Sequence, residues 1–294
     1  MVHQTEYHKS WAWPLGQWTS AKDWKGFGKD ARTSDSDDSG SDGERAFDIA
    51  DALEQGQARE IVTDFMHPLR RARRLWRFRI ERSDDKSQYK LFTDEGDFLL
   101  YAKVSPENRK INIHMYSPND SENTLFDANR PAFSMTFNEN RTEWRLQQEK
   151  CEHCQFAPKH LSCACCGKQQ VALIKHGRVR TGNDTFNHME IHVPSLQPDE
   201  SRVIWCPKLG NTESQTLVTK MPVWNDEADG LVLNFKGRNI ISSAKNFQLT
   251  HPQKPDHVIC QFGKIGANAY SLDLRYPLSV IQAFGVSMTT VFWD

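Results

Sequence analysis

The chain has almost no net charge. Its 37 Lys and Arg stand against 38 Asp and Glu, leaving −1 over 294 residues. No bulk attraction to nucleic acid or to a membrane surface follows, so any such preference has to be local. Apolar residues are also scarce, at 38%, while 26% of residues are charged; such an average mixes a folded core with polar segments. A Gly-rich phosphate loop is missing, and Gly237, Gly263 and Gly266 stand at strand ends, where turns need them. Neither a His-Glu-x-x-His run nor a Gly-x-Ser-x-Gly elbow occurs, and the histidines are scattered. These absences point away from an enzyme. The opening Met1-Val-His-Gln-Thr-Glu6 has no basic stretch followed by an apolar one, so it does not read as a secretory leader. The longest uncharged run, Tyr276 to Trp293, is interrupted by Ser279, Gln282, Ser287, Thr289 and Thr290, and no basic cluster follows it. That argues against a transmembrane segment. Seven cysteines, five of them within 16 residues, do not make a secreted disulfide framework. An intracellular protein is expected.

What is present divides the chain in three. Residues 1–43 read as an arm. It carries Trp11, Trp13, Trp18 and Trp24 without steady period, then the acidic Ser/Gly stretch Thr33-Ser-Asp-Ser-Asp-Asp-Ser-Gly-Ser-Asp-Gly43. A segment of that composition cannot bury enough apolar area to offset its ordering entropy, so it is expected to be extended or disordered alone. Residues 44–69 read as one or two short helices, with Phe47, Ala50 and Leu53 at spacing three, Ile61 and Phe65 at spacing four, and Pro68 as the stop. Residues 70–294 read as the barrel domain, where the pattern is strand after strand to residue 275, beginning with an alternation that puts Leu75, Arg77 and Arg79 on one side and Trp76, Phe78 and Ile80 on the other. Further candidates are Phe98–Ala102, Lys110–Tyr116, Ala132–Phe137, Glu143–Leu146, Val171–Lys175, Glu190–Val193, Val203–Cys206, Gln215–Val218, Leu231–Phe235, Lys245–Leu249, His257–Phe262 and Ala269–Leu274. Many short strands separated by turn clusters, with no crossover helices, predict a closed or nearly closed antiparallel β-barrel.

The periodicity then changes. Pro277 suits the first turn of a helix. Leu278, Val280, Ile281, Ala283, Phe284, Val286, Met288, Val291 and Phe292 wrap most of its circumference, and no residue from 276 to 293 is charged. A helix apolar all round is buried on all sides, so the sheet is expected to surround it.

The same C-terminal region carries a succession of short motifs: Leu231-Val-Leu-Asn-Phe-Lys-Gly-Arg238, Ala244-Lys-Asn-Phe-Gln248, Gln261-Phe-Gly-Lys264, Arg275-Tyr-Pro-Leu278 and Gln282-Ala-Phe284. Upstream lie Met221-Pro-Val-Trp-Asn-Asp226, Asn211-Thr-Glu-Ser214 and Val193-Pro194. In order and number these resemble the signature of the tubby family, densely from about residue 187 to 284 and faintly from about 75 to 186. The resemblance implies a twelve-stranded barrel threaded by a hydrophobic C-terminal helix. It also implies a binding module that engages phosphatidylinositol 4,5-bisphosphate and couples membranes to trafficking, notably into cilia. The family's lipid site uses a basic Arg-Lys-Arg run at the end of an early strand plus an arginine on a neighbouring segment, because two phosphates need several cationic donors converging on one face. Aligning Phe98-Leu-Leu-Tyr-Ala-Lys-Val-Ser105 with that strand places the run on Lys103, Val104 and Ser105, and the extra arginine on Asp127. Of these only Lys103 is cationic. Arg109 and Lys110 add charge from the next strand. The resemblance therefore implies a degenerate phosphoinositide site at Lys103, Arg109 and Lys110.

Three other constellations stay open. Cys151, Cys154, Cys163 and Cys166 form C-x2-C-x8-C-x2-C within an insertion at about 150–168. Paired thiolates at that spacing suit a structural zinc, or they are reduced thiols filling small gaps. The four N-terminal tryptophans are either anchors for a protein partner or a cover for the domain's own surface. The arginine cluster Arg70–Arg82 suits lipid headgroups, nucleic acid or an acidic protein, or else it is solvated or paired with the acidic stretch at 35–44. Nucleic acid is the weakest of these. Two roles fit the whole: a membrane- or cilium-associated adaptor, and a structural component of a ciliary or axonemal assembly docked through its N-terminal arm.

Overall fold

On β1 (Trp76–Arg82) Phe78 and Ile80 are buried while Arg77, Arg79 and Glu81 face water, the period-2 alternation of a sheet wet on one side. The computed structural model describes residues 65–69, 71–115, 131–149, 168–181, 184–198, 205, 213–226 and 230–293, and repeats that pattern around a closed sheet. The further strands are β2 (Gln88–Thr93), β3 (Phe98–Ser105), β4 (Lys110–His114), β5 (Phe133–Phe137), β6 (Glu143–Gln148) and β7 (Gln169–Thr181). They continue with β8 (Asp184–Pro194), β9 (Ser214–Thr219), β10 (Val223–Asn225), β11 (Gly230–Val232), β12 (Phe247–His251), β13 (Lys254–Lys264) and β14 (Ala269–Leu274).

Twelve of these close an antiparallel barrel in the order β1-β14-β13-β12-β9-β8-β7-β6-β5-β4-β3-β2. The closing seam pairs β1 with β14, from Trp76 opposite Leu274 to Glu81 opposite Ala269. Strands β10 and β11 form a separate ribbon between β9 and β12. The ribbon carries the Pro-Val-Trp-Asn motif and leaves Val223 63% and Trp224 55% exposed.

The expected plug is there. Helix α1 (Val280–Met288) is buried at all nine positions and runs into a 3-10 turn at Thr289–Phe292. It starts three residues later than Pro277 suggests, because Ser279 is its N-cap. The Gln282 backbone N–H donates to Ser279 Oγ at 3.3 Å, and the Ser279 N–H donates to Gln282 Oε1 at 3.0 Å, a reciprocal capping box. The polar residues that interrupt the apolar run are each satisfied inside. Gln282 Nε2 donates to the Val171 carbonyl at 3.2 Å, Ser287 Oγ to Phe284 at 2.7 Å, Thr289 Oγ1 to Val286 at 2.7 Å and Thr290 Oγ1 to Ser287 at 2.8 Å. Buried hydroxyls that return to the preceding turn in this way are satisfied within the helix itself. At the far end Lys245 Nζ donates to the carbonyls of Thr290 at 3.0 Å, Val291 at 3.3 Å and Trp293. The lysine thus fills the role of a cation at a helix C-terminus.

An aromatic lid closes the same end. Phe292 packs on Phe137 and Trp144, Arg141 lies over the Phe292 ring, and Trp293 Nε1 donates to His176 Nδ1 at 3.1 Å. Burial pushes the His176 imidazole down to about 4. The unfolded chain therefore binds a proton that the folded one refuses, and stability present above about pH 6.5 is lost as the pH falls toward 4. The loss expected from this one group is about 3 kcal/mol. Urea unfolding at pH 7 and pH 4 checks it: in His176→Gln the difference between the two pH values should shrink by that amount.

Candidate functional site

The hairpin of β3 and β4 places the cations that the sequence singles out. Along β3, Val104 points into the core beside its register partner Ile111, while Lys103 is exposed and Ser105 half-buried. Lys103 lies opposite Asn112, and Ser105 opposite Lys110. Lys103 and Lys110 are therefore diagonal neighbours on the outer face, roughly 7–8 Å apart by strand geometry. Arg109 is exposed in the connecting turn and adopts a left-handed backbone, φ +49°. The turn is held by the Arg109 N–H donating to Pro106 O at 3.1 Å, and by the Arg109 carbonyl accepting from Phe137 at 3.3 Å. Lys103, Arg109 and Lys110 thus share one end of one barrel face.

Their field is legible in a neighbour. His114 sits on the same outer row, its ring 6.0 Å from that of Tyr101. Burial lowers its imidazole first, and Lys103 and Lys110 lower it further. The face is not purely cationic, however. Glu149, beyond β6, bonds Lys168 at 3.0 Å. Burial pushes its carboxyl up, but the neighbouring Ser134 hydroxyl, the Lys168 hydrogen bond and the charges of Lys168 and Lys110 outweigh that and bring it below the usual range. The Lys168–Glu149 pair was missed at the sequence level. Its members are 19 residues apart on either side of the cysteine-rich stretch, and no spacing signals them.

The position carried over to Val104 contributes hydrophobic core instead of charge. Asp127 lies outside the described residues, as do Cys151, Cys154, Cys163 and Cys166, Trp11, Trp13, Trp18 and Trp24, Arg70, and almost all of the expected helical stretch at 44–69. Among the described residues no three metal-ligating side chains gather, and no helix is long and apolar enough to cross a membrane.

The arginine cluster is divided by the fold. Arg71 lies 4.1 Å over the Tyr276 ring and donates to its hydroxyl at 2.8 Å. Arg82 donates to Asn268 Oδ1 at 2.7 Å and to Ala267 O at 3.1 Å. Arg71 and Arg82 are thereby tied to the ends of the closing seam, and Arg73, Arg74, Arg77 and Arg79 remain exposed between them.

The C-terminal motifs prove to be architectural. Arg238 forms a two-pronged pair with Asp273, at 2.7 and 3.1 Å, and reaches Asp94 at 3.4 Å. Gly237 precedes it at φ +75°, a turn conformation that side-chain-bearing residues rarely adopt. Gln261 donates to Asp273 at 2.8 Å, and Gln248 donates to Gln261 at 3.3 Å and to the Asn234 carbonyl at 2.7 Å. These residues follow the register Asp273–Gln261–Gln248 across β14, β13 and β12. Together they pin the Asn234–Arg238 loop to the outside of the barrel.

Comparison with known proteins agrees with this geometry. The family model described as Tub family matches residues 65–291. Tubby protein homolog 1 of Caenorhabditis briggsae is 39% identical over 126 residues, covering 42% of this chain and 29% of that protein. Tubby-related protein 3 of Homo sapiens is 37% identical over 109 residues, covering 36% and 24%, and Tubby-related protein 2 of Mus musculus is 46% identical over 74 residues, covering 25% and 13%. The chain thus spans less than a third of the length of these relatives. With a barrel closed around its terminal helix and the family model matched across both, the chain belongs to the Tub family.

Proposed function

We propose that this chain is a non-enzymatic tubby-like binding and scaffold module, intracellular and associated with membranes or the cilium, whose phosphoinositide site is degenerate. One observation carries the reading: Lys103 and Lys110 lie diagonally on one outer face with Arg109 at the turn, while Val104 is committed to the core and Ser105 is neutral. A bisphosphorylated inositol ring needs several charge-assisted bonds at once. Each one missing costs on the order of 1.5–3 kcal/mol, and Glu149 adds opposing charge nearby. What remains suits weak, salt-sensitive contact with an anionic surface.

Co-sedimentation of the full chain with phosphatidylcholine vesicles, with and without phosphatidylinositol 4,5-bisphosphate, tests this. The expected result is little dependence on the bisphosphate. Strong pelleting that Lys103→Ala abolishes would sink the degenerate site and restore a high-affinity lipid adaptor. A structural role in a ciliary or axonemal assembly is the second reading. The exposed Val223 and Trp224 on the ribbon favour it, since rigid aromatic side chains are what protein interfaces use as anchors.

A further inference from the structure

The outer face of β1 and the segment leading into it carry charge that the fold does not use. Arg73, Arg74, Arg77 and Arg79 are all exposed. Arg77 lies opposite Asp273 in the register, but that carboxylate is already occupied by Arg238 and Gln261. Among the described residues no hydrogen bond or ion pair engages the Arg73, Arg74 or Arg77 guanidinium, and Arg74 rests 5.6 Å over the Trp76 ring. Arg79 meets Glu81 at 3.1 Å, with both side chains nearly half exposed, so the pair contributes little. The 236–238 loop adds exposed Lys236 beside the patch, since a Cβ built on Gly237 would stand 3.8 Å from Arg77 Nη2. Like charges aligned on a strand face repel each other. A surface of this kind is stable without an anion but is improved by one.

The chain supplies that anion itself. Residues 34–44 hold Asp35, Asp37, Asp38, Asp42 and Glu44 and no lysine or arginine. Carboxylates are the partners that guanidinium forks accept two-pronged. The tether is short. Twenty residues separate Glu44 from Phe65, which limits the reach of the acidic segment from Phe65 to about 66–72 Å. Its anchor is fixed beside the patch: Phe65 is buried, and the Leu69 N–H donates to Leu278 O at 3.3 Å, four residues before Arg73. A ligand carried on the same chain engages its site intramolecularly, which favours even a weak multivalent ionic contact. We infer that the acidic segment 34–44 docks in cis on the arginine face formed by Arg73, Arg74, Arg77, Arg79 and Lys236. This inference is independent of the lipid reading. It makes the face a self-occupied site that an anionic partner has to win by competition.

Zero-length carbodiimide cross-linking of the full chain, read by mass spectrometry, tests the inference. The Lys168–Glu149 pair at 3.0 Å is an internal positive control. At low salt Lys236 should join the acids of 34–44 preferentially. That yield should fall several-fold at about 1 M salt, where screening acts within about 3 Å, and again in the double variant Arg77→Glu, Arg79→Glu. Both positions are exposed, and an unchanged thermal melt confirms that the variant folds. A second variant that turns Asp35, Asp37, Asp38 and Asp42 into Asn leaves the barrel untouched and should give the same loss at Glu44. Three results would overturn the inference. One is cross-links spread equally over Lys103, Lys110 and Lys168. Another is a Lys236 yield indifferent to salt and to the double variant. The third is cross-links that join heavy- to light-isotope chains in a mixed sample, which would assign the contact to a second copy.

Discussion

Asp273→Ala is expected to destabilise the protein by about 3–5 kcal/mol. The carboxylate is 2% exposed and accepts three hydrogen bonds, two from Arg238 and one from Gln261. Removing it leaves the Arg238 guanidinium, whose side chain is only 16% exposed, with Asp94 at 3.4 Å as its nearest acid. A buried charge without its partner costs far more than the net worth of the intact pair, because the desolvation is no longer compensated. Gln261 then loses its acceptor as well, and the loss travels along the row to Gln248 and the Asn234 carbonyl. Urea unfolding of Asp273→Ala, Arg238→Met and the double variant separates the contributions. The double variant should be more stable than Asp273→Ala alone, with a coupling energy above 1 kcal/mol. A cost for Asp273→Ala below about 1 kcal/mol would mean that this seam does not hold the loop.

That pair also shows where reading the chain stops. Phe235-Lys-Gly-Arg238 is recognisable as a motif, yet nothing in its spacing says that Arg238 meets residue 273. The contact depends on barrel closure, a property of the whole sheet. Lys245 is similar: it lies in a motif, but its role at the end of α1 needs a helix that returns through the barrel. The helix itself was legible, because an uncharged run with apolar residues on every side has one soluble solution. Its start was placed at Pro277, whereas the capping box at Ser279 and Gln282 sets it at Val280. The strands with clean alternation were found. Strand β2 (Gln88–Thr93) was not, since Phe92 faces outward and Thr93 inward, against the expected polarity. The distal parts of β7 and β8, including Gly177 to Thr181 and Asp184 to His188, pair in register beyond the predicted ends. They carry polar residues such as Arg178, Arg180 and Asn187, so hydrophobic periodicity fades before pairing does. Leu231–Phe235 was expected to be one strand, but only Gly230–Val232 pairs, and the polar row from Gln248 to Asp273 holds the rest as a loop. At the candidate site the run Phe98–Ala102 is apolar throughout and buried from Leu99 to Ala102, so no alternation within it marks the outward direction of Lys103. Its diagonal relation to Lys110 needs the hairpin register, and Glu149 needs the sheet.

The fit of the central helix inside the barrel yields two opposite changes one residue apart. Phe284 is 0% exposed, and Phe284→Ala should cost about 3–5 kcal/mol through lost transfer energy and the cavity left behind. Gly285 follows it on α1. In an exposed helix, replacing glycine would stabilise by up to about 1 kcal/mol. Here a Cβ at 285 would stand 2.9 Å from Leu146 Cδ2 and 3.5 Å from Leu146 Cδ1 on β6, so Gly285→Leu should destabilise by about 1–3 kcal/mol or more. Leu146→Ala provides the decisive control. By opening space on the barrel wall it should recover part of the Gly285→Leu loss, but it should add to the Phe284→Ala loss, since two cavities do not fill each other. Chemical denaturation of the three single and two double variants reads both signs. A helix lying on the outside of the sheet would tolerate Gly285→Leu and show no coupling to Leu146. Rescue in one pair and none in the other is the outcome that only an enclosed helix produces.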